Sequence, residues 1–593
     1  MCFPIRSLVI VAFALPSALW IPSLATAQST IRISLDSAGA QANGESSRPS
    51  ISADGRFIAY ASLATNLVAA DVNGVRDVFV YDRLTASTVL VSVDSSGVPS
   101  NGASDDPAIS ADGRFVAFDS LGTNLVVGDS NGVRDVFVHD LLTGATRRVS
   151  VGDAGQEANG ESRAPAISAI GSIVAFESDA SNLGAGDANA WTDVFVRDLG
   201  AGTTVCASVN SGGSAAGLST QCSLSADGTR VAFTCEWALT ASDTNFARDV
   251  YLRDLFAGTT TQVSCNSAGL SGNNFSSFGR ISADGQCVSF SSLATNLGGI
   301  DTNNQPDIYE RLLATGQTLR CSISTAGAQS IGWPLLSAPS GDGRYVVFDD
   351  NAQTLIPDPI PGTTAFLRDT WSGATTLEAR NSAGVGGNGV SWTAQISADG
   401  RFVVFESEAT NLVASDTNAV GDIFLRDRRN SVQPSALCFG DGTQALPCPC
   451  GNSGASGRGC ENSSGSGGAE LTWSGATIPD DLSLHSSGEP AGALTIFLQG
   501  TQALAAPVTF GDGLRCVGGT LRRLYAINAT AGSATVPGPG QPSIGLRSLQ
   551  LGDPLPAGVQ RLYQAYYRDA DASFCPAPAG NSWNVSNAVR VPW

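Results

Sequence analysis

The sequence contains no lysine: all 33 of its basic residues are arginines. Schiff-base and lysine-nucleophile chemistry is thereby excluded. Histidine is almost missing as well, with only His139 and His485. A three-histidine zinc site cannot form, and a Ser-His-Asp triad would have two candidates for its base. The arginines face 53 aspartates and glutamates, for a net charge of −20. Nucleic acid is excluded as a partner, because its phosphates call for clustered positive charge. After the first 27 residues no apolar run is long enough to cross a bilayer, so no membrane span is expected.

Those first 27 residues have their own pattern. Arg6 is the only charge, an apolar stretch runs from Leu8 to Ile21 with Pro16 inside it, and Ala25-Thr26-Ala27 supplies small residues. This reads as a secretory signal (1–27) cleaved near Ala27, giving a secreted, periplasmic or cell-surface chain. Twelve cysteines remain after cleavage, six from Cys206 to Cys321 and six from Cys438 to Cys575. Even numbers in an exported chain predict disulfides in both groups, with the connectivity left open.

A short phrase recurs along the chain. ISADGRF stands at 51–57, 109–115 and 396–402, with variants at 167–173, 224–230, 281–287 and 339–345. The position of Asp54 maps to 112, 170, 227, 284, 342 and 399, a spacing of 57 or 58 residues. Such regularity is a repeat architecture. Each copy holds four short strand-like stretches; in the second they are 107–110, 114–120, 135–140 and 145–151. Ala-Asp-Gly-Arg turns the first into the second, and Leu-Thr-Gly turns the third into the fourth. Four antiparallel strands repeated seven times predict an all-β, seven-bladed β-propeller over 28–430. The last copy ends without a fourth strand, and TIRISL (30–35) matches one, so the N-terminal strand is expected to close the ring.

The Ser-x-Asp-Gly turn, the apolar strand after it, Asp-Val-Phe-Val-x-Asp and Thr-Gly resemble the TolB-like, WD-type propeller repeat over roughly 30–430. Two departures are Ala in place of the usual Pro before Asp-Gly, and a long repeat. The resemblance implies a periplasmic or extracellular propeller, often a protein-binding platform. Propeller peptidases carry similar repeats but add an α/β-hydrolase domain with Gly-x-Ser-x-Gly. Residues 431–593 do not read as one.

In each copy the loops between second and third strands are long, as are the connections between blades, and the other turns are tight. The long-loop face is therefore the expected functional face. It carries Asp-x-Asn-x-x-x-Asp in six copies: Asp71/Asn73/Asp77, Asp129/Asn131/Asp135, Asp187/Asn189/Asp193, Asp243/Asn245/Asp249, Asp301/Asn303/Asp307 and Asp416/Asn418/Asp422. In the sixth copy Asp358 remains, while Ile360 and Thr364 replace the other two. Alternating oxygen ligands fit a calcium loop. The motif lacks the Gly and Glu of an EF-hand, and the same residues can instead bond nearby backbone amides to shape the loop. No other cofactor is indicated. Arg76, Arg134, Trp191, Trp237, Arg248, Trp333 and Trp392 map to the same face, where aromatic and guanidinium groups could engage a sugar or a protein. His139 is expected to face solvent near a tight turn.

After Pro434 the repeat is gone. Residues 438–460 pack Cys438, Cys448, Cys450 and Cys460 into a Gly/Ser-rich segment, read as disulfides in preference to a four-thiolate zinc site. Alternating runs follow, predicting a small disulfide-containing β-sandwich-like domain over 431–593 with His485 in a strand and a bridge between Cys516 and Cys575. CPCGN…GRGC and FGDGLRCVGG (510–519) resemble a Cys-containing C-terminal module of large secreted bacterial proteins, which implies surface attachment, sorting or ligand binding. With no catalytic motif recognised, the sequence predicts a monomeric, non-catalytic propeller that binds a protein or polysaccharide on its long-loop face. The alternative is a carbohydrate-active enzyme, a glycosidase or lyase, using carboxylates, Tyr or Arg of the central channel.

Overall fold

A computed structural model describes residues 28–593 apart from 185–186, 188, 430–433, 445, 479, 556–558, 572–573 and 575–582. Residues 1–27, read above as a secretory signal, and Cys575 lie outside the described residues. Seven four-stranded antiparallel sheets account for the repeats. In the second blade the strands are Ser104–Ile109, Phe115–Ser120, Asp135–Asp140 and Ala145–Arg148. The seventh blade is completed by the N-terminal strand Ser29–Arg32, which pairs antiparallel with Asp422–Asp427, Ser29 opposite Asp427. The ring closes as the sequence predicts.

The recurring phrase has a mechanical reason. In the second blade Ser110 Oγ donates to Asp112 Oδ1 at 2.5 Å, and the same oxygen accepts the Arg114 N–H at 3.0 Å. Gly113 has φ +73°, and a Cβ there would lie 2.2 Å from the Phe57 ring of the preceding blade. Glycine is required twice over, for the left-handed backbone and for the close approach. Arg114 then grips Asp140, at the end of the third strand, through Nε (2.9 Å) and Nη2 (2.7 Å). Inside every blade an aromatic residue of the second strand stacks on one of the third, as in Phe118–Phe137 at 5.9 Å and Phe405–Phe424 at 6.1 Å. These pairs are the centre of each blade's core.

The cysteine expectation fails in the propeller. Cys206, Cys222, Cys235, Cys265, Cys287 and Cys321 are all free and buried. Each fills a packing position that other blades give to a different side chain. Cys321 stands where Val91, Val149 and Val263 stand in other blades, its N–H bonding the third strand in the same way. These thiols serve as small apolar fillers.

The C-terminal domain has a five-stranded sheet, in spatial order Ser435–Leu437, Trp583–Pro592, Gln560–Arg568, Leu494–Phe510 and Gly513–Asn528. A three-stranded sheet of Glu470–Ser474, Ser483–Ser487 and Ser533–Val536 packs against it. Leu471, Leu484 and Val536 meet Phe497, Tyr563 and Tyr567 in the shared core. A short helix, Ile544–Gln550, capped by the Ser543 hydroxyl, was not foreseen in the sequence. Disulfides join Cys438 to Cys516 and Cys448 to Cys460, and Cys450 is also disulfide-bonded. The expected Cys516–Cys575 bridge is thus corrected: Cys516 belongs to the arm that crosses the Cys438 loop. His485 lies in a strand as expected. The domain meets the propeller at the sixth blade's tight turn, where Arg344 Nη1 lies 3.5 Å from Asp480 Oδ2. Arg344 also pairs with Asp369 at 3.2 Å and lies over the Tyr345 and Trp371 rings. That contact is on the tight-turn face.

Candidate functional site

Four of the six Asp-Asn-Asp loops share one pair of Asn donations, and the other two keep one of the pair. Asn73 Nδ2 donates to Asp77 Oδ2 at 2.6 Å and to the Ser100 carbonyl at 2.9 Å, while its Oδ1 accepts the Val75 N–H at 3.0 Å. The other Asp77 oxygen accepts from Ser92 Oγ at 2.6 Å. Asn131, Asn245 and Asn418 make the same two donations, to Asp135, Asp249 and Asp422 and to the following connection. Asn189 reaches Asp193 at 2.9 Å, and Asn303 reaches the Ser330 carbonyl at 2.5 Å. In five of the loops the Asn turns an N–H toward the last Asp, which is itself held by a serine just past the fourth strand, as Ser92 holds Asp77. The loop, the third strand and the next blade's entry are stitched together.

The first Asp of each motif has more varied surroundings. Asp187, Asp243 and Asp301 accept the N–H of the Asn two residues on. Arg148, Arg320 and Arg32 occupy one equivalent fourth-strand position in three blades and reach both ends of the motif: Arg148 and Arg32 pair with the first Asp, Asp129 (3.5 Å) and Asp416 (3.1 Å), and Arg148 and Arg320 with the last, Asp135 (3.3 Å) and Asp307 (3.2 Å). Leu90 and Cys206 take that position in the first and third blades, where burial pushes Asp77 and Asp193 up to about 6. His139 is not solvent-facing: it is buried, with Nδ1 2.8 Å from Thr146 Oγ1, and burial lowers its pKa. The preceding blade's connection covers it, through a bond from Thr146 to the Val93 carbonyl.

The central channel holds a second cluster, which the sequence reading missed. The innermost strand of six blades contains a bulge whose non-glycine residue has positive φ: Arg48 (53°), Asp106 (47°), Ala164 (49°), Gln221 (61°), Phe278 (58°) and Thr393 (51°). All six line a cavity of about 440 Å³. Strained backbone at one equivalent position is held there by a specific partner. Three of the bulge N–H groups point at acids from the second strand of the preceding blade: Arg48 N to Glu406 Oε2 (3.3 Å), Ala164 N to Asp119 Oδ2 (3.1 Å) and Gln221 N to Glu177 Oε1 (2.6 Å), while Phe278 N reaches Gln221 Oε1 (2.8 Å). Asp119, Glu177, Asp349 and Glu406 are all buried and share one repeat position. Burial raises the pKa of each; for Asp119, the charge of Asp106 adds to the rise and Arg134 opposes it. The signal in the sequence was an acid in the penultimate place of an apolar strand, as in FVAFDS and FVVFES.

The proposed face residues divide between channel and rim. Arg134 bonds Asp119, and Arg76 bonds Ser47 and Glu45, so both turn toward the channel mouth. Arg248 is half-buried. Trp392 sits in the innermost strand of the seventh blade, opposite Glu406. Trp191, Trp237 and Trp333 remain exposed on the long-loop face, joined there by Phe246 and Phe275. Phe246 is 100% exposed and Trp191 53%. These five aromatic residues belong to the third through sixth blades, while the same loops of the first and second carry aliphatic Val72 and Val127. The aromatic surface is an arc on one side of the ring. Among the described residues, no group of three or more His, Cys, Asp or Glu is arranged to hold a metal ion.

Solved structures share parts of this architecture. A TolB from Agrobacterium tumefaciens is 16% identical, with 58% of this chain and 96% of that one covered and a TM-score of 0.32. TolB from Acinetobacter baumannii is 14% identical, over 59% and 76%, with a TM-score of 0.30. An oligogalacturonate lyase in complex with manganese is 11% identical, over 67% and 92%, with a TM-score of 0.41. No family model and no curated protein matches the chain. The propeller assignment stands on the strand pairing above, and at these identities the likeness extends to nothing finer.

Proposed function

We propose that this chain is an exported propeller that binds a protein partner on its long-loop face, without catalysis. The arc of exposed aromatic side chains over four consecutive blades carries the reading. Large aromatic residues dominate the energetics of protein interfaces, and monomers rarely leave several of them in water on one face. The C-terminal domain contacts the opposite, tight-turn face through Arg344 and Asp480 and leaves the arc uncovered. Disulfides in the C-terminal domain fit an oxidising compartment. No helix among the described residues is long and apolar enough to cross a membrane.

The test is capture by immobilised mature chain from envelope extracts, followed by titration with the purified partner. Trp191→Ala combined with Trp237→Ala and Phe246→Ala should weaken that binding by about tenfold or more at unchanged Tm. Retention only on a glycan array would replace the protein partner by a polysaccharide.

One observation favours a second reading. Asp119 is a buried carboxyl with a raised pKa beside Asp106 in the channel, the environment of a general acid. Turnover of a polysaccharide panel that is abolished by Asp119→Asn would establish that enzymatic alternative.

A further inference from the structure

The C-terminal domain has a pocket of its own, remote in kind from the propeller face. Its long hairpin builds it. From Thr495 to Gly500 the first strand pairs on both sides, with Leu521–Ile527 and with Leu562–Tyr567. Beyond Gly500 the register breaks, and the arm pairs only with its own return strand. The arm folds back so that Phe510 stacks on Tyr566, with ring centroids 4.5 Å apart and planes 20° from parallel. The Cys438–Cys516 disulfide pins the returning arm at the residue next to Arg515.

The result is a pocket of about 470 Å³ lined by Phe510, Tyr566, Trp583 and Leu498, with Arg515 and Arg523. No acid lines it, and neither arginine has an ion-pair partner among the described residues. Tyr566 Oη and Arg515 Nε are buried without a well-aligned hydrogen bond, and the Arg515 guanidinium lies beside the Tyr566 hydroxyl. Tyr566 is only 6% exposed. Buried polar groups whose mutual geometry is poor gain from a ligand whose polar atoms meet them better. The pocket thus offers a flat aromatic floor, a guanidinium fork and a buried hydroxyl beside that fork. The domain around it is also less anionic than the propeller, with eight arginines against ten carboxylates, compared with 24 against 43.

We propose that this pocket binds a hexuronate residue of an acidic polysaccharide. The carboxylate pairs with the Arg515 fork while Arg523 stands at the rim, since a guanidinium matches a carboxylate bidentately. The C–H face of the ring lies on the aromatic floor, and a ring hydroxyl meets Tyr566 Oη. A sugar fits better than a purely aromatic carboxylate because its hydroxyls satisfy the tyrosine as well as the arginine.

The mature chain is titrated calorimetrically with glucuronate and galacturonate trimers, with a neutral glucose trimer, and with a short peptide ending in phenylalanine. The uronate trimers should bind and the glucose trimer should not. Arg515→Gln should weaken uronate binding by about tenfold or more, as expected for losing a hydrogen-bonded charge. Tyr566→Phe, which keeps the stack, should weaken it severalfold at unchanged Tm. Trp191→Ala on the propeller should leave it untouched, which separates this site from the long-loop face. Absence of uronate binding, equal affinity for the neutral trimer, preference for the peptide, or full affinity in a folded Arg515→Gln protein would each overturn the proposal.

Discussion

The Arg134 guanidinium pairs with the Asp119 carboxylate at the mouth of the channel, and the acid side chain is only 1% exposed. Asp119 also accepts the strained Ala164 N–H of the next blade, so one carboxylate fixes a loop, a strand and a bulge. Removing the guanidinium leaves a buried charge beside Asp106. Arg134→Ala should cost about 3 kcal/mol of stability at pH 8, less at pH 5 where Asp119 takes up a proton. Denaturant titrations at the two pH values measure this, and adding Asp119→Asn should restore most of the loss.

The buried loop carboxylates reverse the usual acid sensitivity. Burial pushes Asp77 and Asp193 up to about 6, and Asp249 and Asp307 to about 7. The unfolded value is about 4, so the folded state holds these protons more tightly. Their contribution is complete below about pH 4 and is lost as pH rises through 6 and 7. The Arg56 side chain holds Asp82 down at about 2, and Arg114 holds Asp140 low; those contributions are present above about pH 4 and lost below it. The Tm should therefore peak near pH 4–5 and decline toward pH 8. Asp77→Asn together with Asp193→Asn should flatten that decline.

The stitched loops give a test of the calcium expectation. Asn131→Ala removes the bonds to Asp135 and to the Ala158 carbonyl, and should lower stability by about 1–3 kcal/mol. A chelator should leave the wild-type Tm unchanged. A Tm that falls on chelation, and falls less in this variant, would show that the loops hold a cation.

The six propeller thiols should be silent in the native protein. All are buried, and burial pushes each thiol pKa up, to about 12 for Cys206. Labelling with an aromatic disulfide should yield no propeller thiol in buffer and six in denaturant. Rapid labelling of any one before unfolding would contradict the packing.

The seven blades and their closure were legible because one phrase recurs at a fixed spacing, and Gly113 and Arg114 show that each letter of it has a mechanical task. The channel acids were harder to see. Asp119 and Glu406 acquire their meaning from a bulge in the adjacent blade, two chain segments that no local pattern connects. His139 looked exposed because a strand end beside a tight turn usually is; the neighbouring blade's connection covers it. The cysteines misled for a related reason. Export favours pairing, but a thiol in a close-packed blade has no second thiol facing it. Spacing alone could not choose Cys438 over Cys575 as the partner of Cys516, because that choice depends on how the long arm folds back.

Closure by the first strand also sets a timetable. The bond from Arg426 to the Gln28 side chain joins residues 398 apart in the chain. Contacts of such span form late, since the loop they close costs entropy before it returns any stability. Until the seventh blade exists, Ser29–Arg32 has no partner, and afterwards Asp422–Asp427 offers a bare edge until that strand arrives. Two chains caught at this stage could trade first strands and emerge as an interlocked pair. Only keeping molecules apart during those moments averts the exchange, because the finished ring carries no trace of the hazard.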